Sequence, residues 1–362
     1  MKILIASVGS LVGQNILDAL EGRREGVRVV GVNSLAAAAS NFRCDVCYMA
    51  PVAADKEQYR ARLLEIMERE QPDLALAARD DDVLALAAIR EKVPRHAARV
   101  VCGGLEAARI IGDKFLTYEF ARKHGLSFAD TACGKESAVD LARRHGYPLV
   151  AKPRRGHGSR GVLLIRNGRQ LARAATLADY VFQECIDPPS DLDALIPDQG
   201  FGVPLFYSLQ LWQFSLQAVI APSGEVVNTF CLVNDVLLAG RTEQNSRADD
   251  PVLTDAIERY ARAISDEGWA GPLFIQGRKT SDGRFVAFEM NGRLGGSVSS
   301  LLYWGFDQLG LIAHHFAPGG CLPPSPIPAG MGVTLYKSLS DFPVRHQDVA
   351  LLEECGVWRR AS

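Results

Sequence analysis

Apolar and polar positions alternate along the chain with two different periods. KILIAS (2–7), VRVVGVN (27–33) and LALAA (74–78) are short apolar stretches. Stretches of this length and character fit strands buried in a parallel sheet. Between them the spacing becomes helical: Val12, Ile16, Leu17 and Leu20 fall on one face, and residues 56–70 predict a second helix. Asp80-Asp81-Asp82 opens a third, where acids suit the positive end of the helix dipole. A further strand is expected at 99–102. Strands and helices alternating through short loops predict a mostly parallel sheet covered by helices, over residues 1–105.

The pattern changes after Ile111. Helices are expected at 113–124 and 136–145, then PLVAKP (148–153), a glycine-rich loop and VLLIR (162–166). YVFQECI (180–186) reads as another strand, so this unit is α+β. Residues 187–205 are rich in Pro, Asp and Gly and read as an inserted loop. YSLQLWQFSLQAVIAP (207–222) and EVVNTFCLV (225–233) flank a turn at Ser223-Gly224. A helix is expected at 252–267. GPLFIQGRK (271–279) and RFVAFEMN (284–291) are strands around Ser281-Asp282-Gly283. A helix at 307–316 and a Pro/Gly-rich run at 317–330 lead to a small closing segment.

Composition narrows the class. The 362 residues are 48% hydrophobic and 23% charged, with a net charge of -2. That is globular, and long enough for two or three domains. The charge balance argues against wrapping nucleic acid, and no basic block resembles an anionic-membrane anchor. The opening MKILIASVGSLVG carries glycines and no small-residue cleavage site, so it reads as a buried strand and turn rather than a signal peptide. No run of 18 apolar residues is present to span a membrane. Of eight cysteines only Cys44 and Cys47 are close, and Cys44 to Met49 alternates like a strand. Buried free thiols in a reducing, cytoplasmic compartment are expected.

Candidate chemistry begins with the first sheet. Its GSLVG turn is not GxGxxG, and Asn33 stands where an acid would end the second strand, so a dinucleotide site is poorly supported. The loop Arg154 to Gly161 holds three glycines, Ser159 and several cations between two strands. It is not a P-loop, but its backbone N–H groups suit a polyphosphate; the plainer reading is a glycine-rich hairpin. Lys152 interrupts an apolar strand and needs a groove or an anion, since burying its charge alone is costly. Lys114 stands at a helix start, where the dipole disfavours it.

The sharpest signal lies in the two late strands. Glu289 and Asn291 are two apart, so both side chains leave one face, and a hairpin brings Gln276 beside them. Three oxygen donors on one sheet face suit Mg2+. Arg293 follows, and Gly292, Gly295 and Gly296 permit tight turns. The plainer reading, a polar sheet edge, leaves Asn291 to Gly296 without a purpose.

Together these residues resemble the ATP-grasp superfamily, in the branch of the carbamoyl-phosphate synthase large subunit and the carboxylate–amine ligases. The likeness covers roughly residues 1–320 and rests on the order of Asp113-Lys114, Tyr147 to Pro153, Gly156 to Gly161, Val181 to Ile186 and Phe288 to Arg293. It implies an α/β N-terminal parallel-sheet domain followed by a two-lobed α+β ATP-grasp fold. The corresponding ranges are a Rossmann-like pre-ATP-grasp domain at 1–105, a first lobe at 106–186, a second lobe with the Mg2+ site at 187–320, and a closing segment at 321–362.

The resemblance also implies roles. Lys114 and Lys152 contact phosphates. Gly156, His157, Gly158, Ser159 and Gly161 belong to a loop that closes on them. Gln183, Glu184, Cys185 and Ile186 form the strand whose backbone meets adenine. Gln276, Glu289 and Asn291 hold Mg2+, two ions with Mn2+ as a substitute, and Arg293 steadies the transferred phosphate. The ribose ligand is open between Asp191, Asp193 and Gln213. Asn291-Gly292-Arg293 stands where relatives often have Asn-Pro-Arg.

The implied reaction activates a small-molecule or amino-acid carboxylate as an acyl phosphate and passes it to an amine. Arg241, the stretch Ser297 to Ser300, Arg278 and Lys279 are candidate substrate binders. The alternatives are a small-molecule kinase, which needs no amine for turnover, and a non-catalytic ATP-binding protein. The partners are small molecules, with neither nucleic acid nor membrane, and a homodimer is left open.

Overall fold

The structure is a computed structural model, which describes residues 1–156, 160–188, 213–238, 241–317, 319–330, 333–338 and 340–360, without the side chains of residues 238 and 241. His157, Gly158, Ser159, Asp191 and Asp193 therefore lie outside the described residues, as does most of the expected insert.

The first sheet runs β15-β3-β2-β1-β4. Strands β1 (Lys2–Ala6), β2 (Arg28–Asn33), β3 (Val46–Met49) and β4 (Leu74–Ala77) are parallel, as their apolar character predicts. Both faces of β1 are covered. Leu4 joins a core with Leu63, Ile66 and Leu86 of the flanking helices. Ile3 and Ile5 join another with Ile16 and Leu20. The closing segment returns to this sheet: β15 (Val357–Arg359) pairs antiparallel with β3 at its edge. The strand expected at 99–102 is reduced to one bridge, Val100 with Ala75, next to β4. Cys44 and Cys47 are buried free thiols in the core, as expected.

The second sheet runs β5-β8-β6-β7 and is antiparallel: β5 (Thr131–Cys133), β6 (Leu149–Pro153), β7 (Leu163–Ile165), β8 (Tyr180–Glu184). Helices Lys135–His145 and Gly168–Ala174 bury its outer face through Leu141, Leu149, Ala151 and Leu171.

The third sheet runs β13-β12-β9-β10-β11-β14, again antiparallel. Its strands are β9 (Gln213–Ile220), β10 (Val226–Leu238), β11 (Arg241–Arg247), β12 (Gly271–Lys279), β13 (Phe285–Asn291) and β14 (Thr334–Tyr336). Leu216, Ala218, Ile220, Leu273 and Ile275 pack on Leu253, Ile257, Tyr260 and Ile264 of helix Pro251–Asp266. That helix is capped by Asp250, whose side chain accepts from Val252 N, with Pro251 at its first position. On the opposite face Val219 and Leu232 join the core that holds Leu301, Ile312 and Ala313, and Gln276 leaves by that same face. Among the described residues, no helix is long and apolar enough to cross a membrane.

Candidate functional site

In β6, Leu149 and Ala151 point into the helix-covered core, so Val150 and Lys152 point the other way. Lys152 is only 6% exposed. Its Nζ donates to the carbonyl oxygen of Phe288 at 2.9 Å. That carbonyl is free for a reason visible in the register. Gln276 pairs with Glu289 but Gly277 pairs with Ala287, so Phe288 is an extra residue, a bulge on β13. Burial pushes the Lys152 ammonium down to about 7, opposed by Glu289 and reinforced by Lys114 and Arg278. A carbonyl is a weak partner for a buried cation, so the site has room in its charge balance for an anion.

Lys114 comes from the start of helix Lys114–Lys123. Its Nζ donates to the carbonyl of Gly156 at 3.0 Å and lies 3.8 Å from a Glu289 oxygen. It thus ties the glycine-rich loop to β13. The unfavourable lysine at the helix start is offset by Asp113. This buried N-cap accepts from the backbone N–H groups of Phe115 and Leu116 and pairs with Arg154 at 2.8 Å.

Gln276 and Glu289 are direct cross-strand partners, and Glu289 and Asn291 share a face. This is an oxygen-only donor set of one carboxylate and two amides. Asn291 is 3% exposed, and its side-chain nitrogen is buried without a partner. Among the described residues, no group of three His, Cys, Asp or Glu side chains could hold a metal. The oxygen set beside two lysines fits Mg2+, which takes few protein ligands and fills its shell with phosphate oxygens and water.

Arg293 is held from three sides. Its Nε donates to Asp80 Oδ1 at 2.9 Å, Nη1 to the Leu294 carbonyl at 3.2 Å, and Nη2 to Asn291 Oδ1 at 3.3 Å. Asp80 was visible in the sequence only as one of three acids at a helix start. The three have separate fates. Asp80 faces Arg293, and Asp81 is exposed. Asp82 is buried, accepting from Ser7, Tyr59 and the backbone of Ala78 and Arg79, and burial pushes its carboxyl up to about 6. Ser299 donates to Asn15 at 3.0 Å, so the short helix Val298–Leu301 that follows Arg293 docks on helix Leu11–Ala19.

Other sequence candidates fall in different places. Gln183 is buried and donates to Thr131, and Glu184 accepts from Asp130 N at 2.7 Å and meets His145 at 3.2 Å. Their side chains are engaged within the first lobe, on a strand paired along both edges. Gln213 opens β9 on the same face as Ser215, the partner of Gln276. Arg241 is not brought to the triad: its backbone lies on β11, four strand spacings or roughly 19 Å along the sheet from β13. Ser297 accepts from Asn245 at 3.3 Å, and Lys279 pairs with Asp250. Arg278 lies not at the triad but just beyond the end of β8, where it reaches the Ile186 carbonyl.

A family model for the ATP-grasp domain matches residues 111–297, which is half of the chain. The chain belongs to the ATP-grasp family. Lys114, Lys152, Gln276, Glu289, Asn291 and Arg293 lie inside the matched range, and Asp80 reaches Arg293 from the N-terminal helix Asp80–Lys92. No curated protein sequence matches the chain. Solved structures of similar fold include the biotin carboxylase of Campylobacter jejuni in a β-γ-ATP complex, at TM-score 0.63 and 18% identity, covering 88% of this chain and 71% of that one. The N5-carboxyaminoimidazole synthetase of Staphylococcus aureus complexed with ADP has TM-score 0.65 and 16% identity, covering 87% and 77%. The N5-carboxyaminoimidazole ribonucleotide synthetase of Thermus thermophilus has TM-score 0.63 and 17% identity, covering 90% and 80%. At these identities the likeness is one of fold.

Proposed function

We propose that this chain is an ADP-forming, ATP-dependent ligase that joins a small-molecule carboxylate to an amine. The observation that carries the reading is the convergence of Lys114 and Lys152 on the Gln276–Glu289–Asn291 face, with Arg293 braced beside it. Two cations and an oxygen triad on one cleft face suit a nucleotide polyphosphate and little else. Solved proteins of this fold hold ATP or ADP, which supports the same ligand here.

In this reading Lys114 and Lys152 receive the α- and β-phosphates, and Lys152 gains the anion its burial leaves it wanting. Gln276, Glu289 and Asn291 would hold Mg2+, which when bound neutralises charge on the transferring phosphoryl group. Arg293 donates to that group's oxygens. An oxygen of the substrate carboxylate attacks the γ-phosphorus, and the bond to the bridging oxygen of ADP breaks. The amine nitrogen then attacks the acyl carbon, phosphate leaves, and the amine gives up a proton. Gly156, whose carbonyl accepts from Lys114, would then stand near the phosphates, and water kept from the acyl phosphate would spare it for the amine.

The test is ADP formation with Mg2+ against pools of carboxylates and amines, with hydroxylamine present to trap an acyl phosphate. A hydroxamate formed with one carboxylate, and lost in Lys152→Ala and Glu289→Ala, is the expected result. Amine-independent ADP formation without hydroxamate would favour the kinase reading instead. The eight free cysteines support a reducing compartment.

A further inference from the structure

The closing segment carries a cation to the turn that follows Arg293. β14 pairs with β11, Asn245 with Leu335 and Gln244 with Tyr336. The ladder runs one step further, with Lys337 N donating to the Glu243 carbonyl at 2.8 Å. Lys337 therefore leaves the sheet by the same face as Leu335 and Asn245. The register carries that face across the sheet: Asn245 pairs with Asn234, Asn234 with Gln213, and Ser215, two residues on, with Gln276. It is the face that bears Gln276, Glu289 and Asn291.

The Lys337 Nζ donates to the carbonyl of Gly296, three residues past Arg293. Arg293 itself donates to the Leu294 carbonyl. The two cations thus grip one short turn from either end. That turn lies on the sheet: a Cβ at Gly295 would meet the Gln217 amide nitrogen at 3.4 Å, and Ser297 accepts from Asn245. The floor beneath it is made of amides. Among the described residues the Asn245 side-chain oxygen has no partner, and neither end of the fully buried Gln217 amide has one. Buried polar groups are ordinarily satisfied. A molecule seated under the turn would supply the missing donors and acceptors, and would meet a cation at each end.

We propose that Lys337 is a substrate-binding residue, which takes a second anionic group of the substrate whose reacting carboxylate lies toward Arg293. The proposal rests on the ligase reading above and names its substrate class: a small carboxylate with another anionic group and polar atoms between them. An anion is a stronger acceptor for an ammonium than a backbone carbonyl. When Lys337 exchanges the Gly296 carbonyl for the substrate, the turn is freed to lift from Gln217. Lys337 lies beyond residues 111–297, the range that the family model matches, so the closing segment shares in the site.

The experiment is calorimetry on the full chain with Mg2+ and a non-hydrolysable ATP analogue. It compares glutarate, 3-phosphonopropionate and butyrate as ligands of wild type, Lys337→Met and Lys337→Arg. Thermal unfolding checks that each variant folds. Wild type is expected to bind at least one of the two dianions roughly tenfold more tightly than butyrate. Lys337→Met should lose that preference, and Lys337→Arg should keep most of it. Preference for glutarate would make the second group a carboxylate, and preference for the phosphonate a phosphate. No preference in wild type, or one that survives in Lys337→Met, would overturn the proposal. A wild type that does not bind the nucleotide analogue would overturn the ligase reading, whereas a lost preference in a protein that binds it removes only the role of Lys337.

Discussion

Lys152 and Phe288 meet across the two lobes, ammonium to carbonyl, because one extra residue in β13 turns that carbonyl out of its ladder. The contact holds the lysine in place without neutralising it. Burial leaves its ammonium near 7, far below an ordinary lysine. A ligand anion would restore the charge, so nucleotide binding above pH 7 should take up a proton. Calorimetry of ATP binding at pH 8 in buffers of different ionisation heat should show uptake approaching one proton, absent in Lys152→Met. Affinity should fall as pH rises from 7 to 9. Proton release, or none, would sink this account. The same shift governs stability. Between pH 7 and 10 the unfolded chain holds the Lys152 proton and the native one has lost it. Stability without nucleotide should therefore rise with pH there, by up to about 1.4 kcal/mol per pH unit from this group.

Asp80 gives a second prediction, because it reaches Arg293 from a helix 213 residues away in sequence. A carboxylate that braces a guanidinium fixes where its remaining donors point. Asp80→Asn keeps the shape and removes the charge. It should lower kcat roughly 10- to 100-fold with a smaller change in KM for ATP. Asp80→Ala should cost more. In the Arg293→Lys background the Asp80 substitution should cost far less than in wild type. Full additivity would show that the two side chains act separately.

Much of this site was legible in the sequence, and the parts that were not share a cause. Glu289 and Asn291 were readable because strand alternation is local: two residues apart means one face. Gln276 was readable because a short turn fixes a hairpin. Helix 56–70 and strand 271–279 were readable from their apolar periods and appear with those bounds. Strand β11 was not, because Arg-Thr-Glu-Gln-Asn-Ser-Arg has no apolar face, and its extended form comes from pairing with β10 and β14. The Asp80–Arg293 pair and the return of β15 to the first sheet depend on how distant segments pack, which no local pattern carries. The Phe288 carbonyl depends on a bulge, which periodicity read as a regular strand.

The glycine in Asn291-Gly292-Arg293 has a packing reason. A Cβ at 292 would lie 2.5 Å from the Trp269 ring, which is 1% exposed and cannot step aside. A proline there would meet the same ring. Gly292→Ala should destabilise the protein by about 1–3 kcal/mol, from overpacking. Trp269→Phe removes the atoms in the way, so the double variant should lose less than the sum of the singles. Denaturant unfolding of the four proteins checks this. Additive losses would mean that the ring is not what excludes a side chain at 292.

The oxygen triad carries only one charge, and that sets how it should respond to substitution. Glu289 supplies the carboxylate and stands 3.8 Å from Lys114. Glu289→Gln leaves three neutral amide donors beside two lysines, a set too weak for a hard divalent cation. Turnover should fall by at least about 100-fold at any Mg2+ concentration. Gln276 is a neutral ligand and can be tuned in either direction. Gln276→Ala should raise the Mg2+ concentration for half-maximal rate roughly tenfold, while Gln276→Glu, with a second carboxylate across from Glu289, should lower it. Titrating Mg2+ at fixed ATP for the three variants orders them. If Gln276→Ala and Gln276→Glu share the wild-type Mg2+ dependence, Gln276 is not a ligand, and the metal must be held by Glu289, Asn291 and the nucleotide alone.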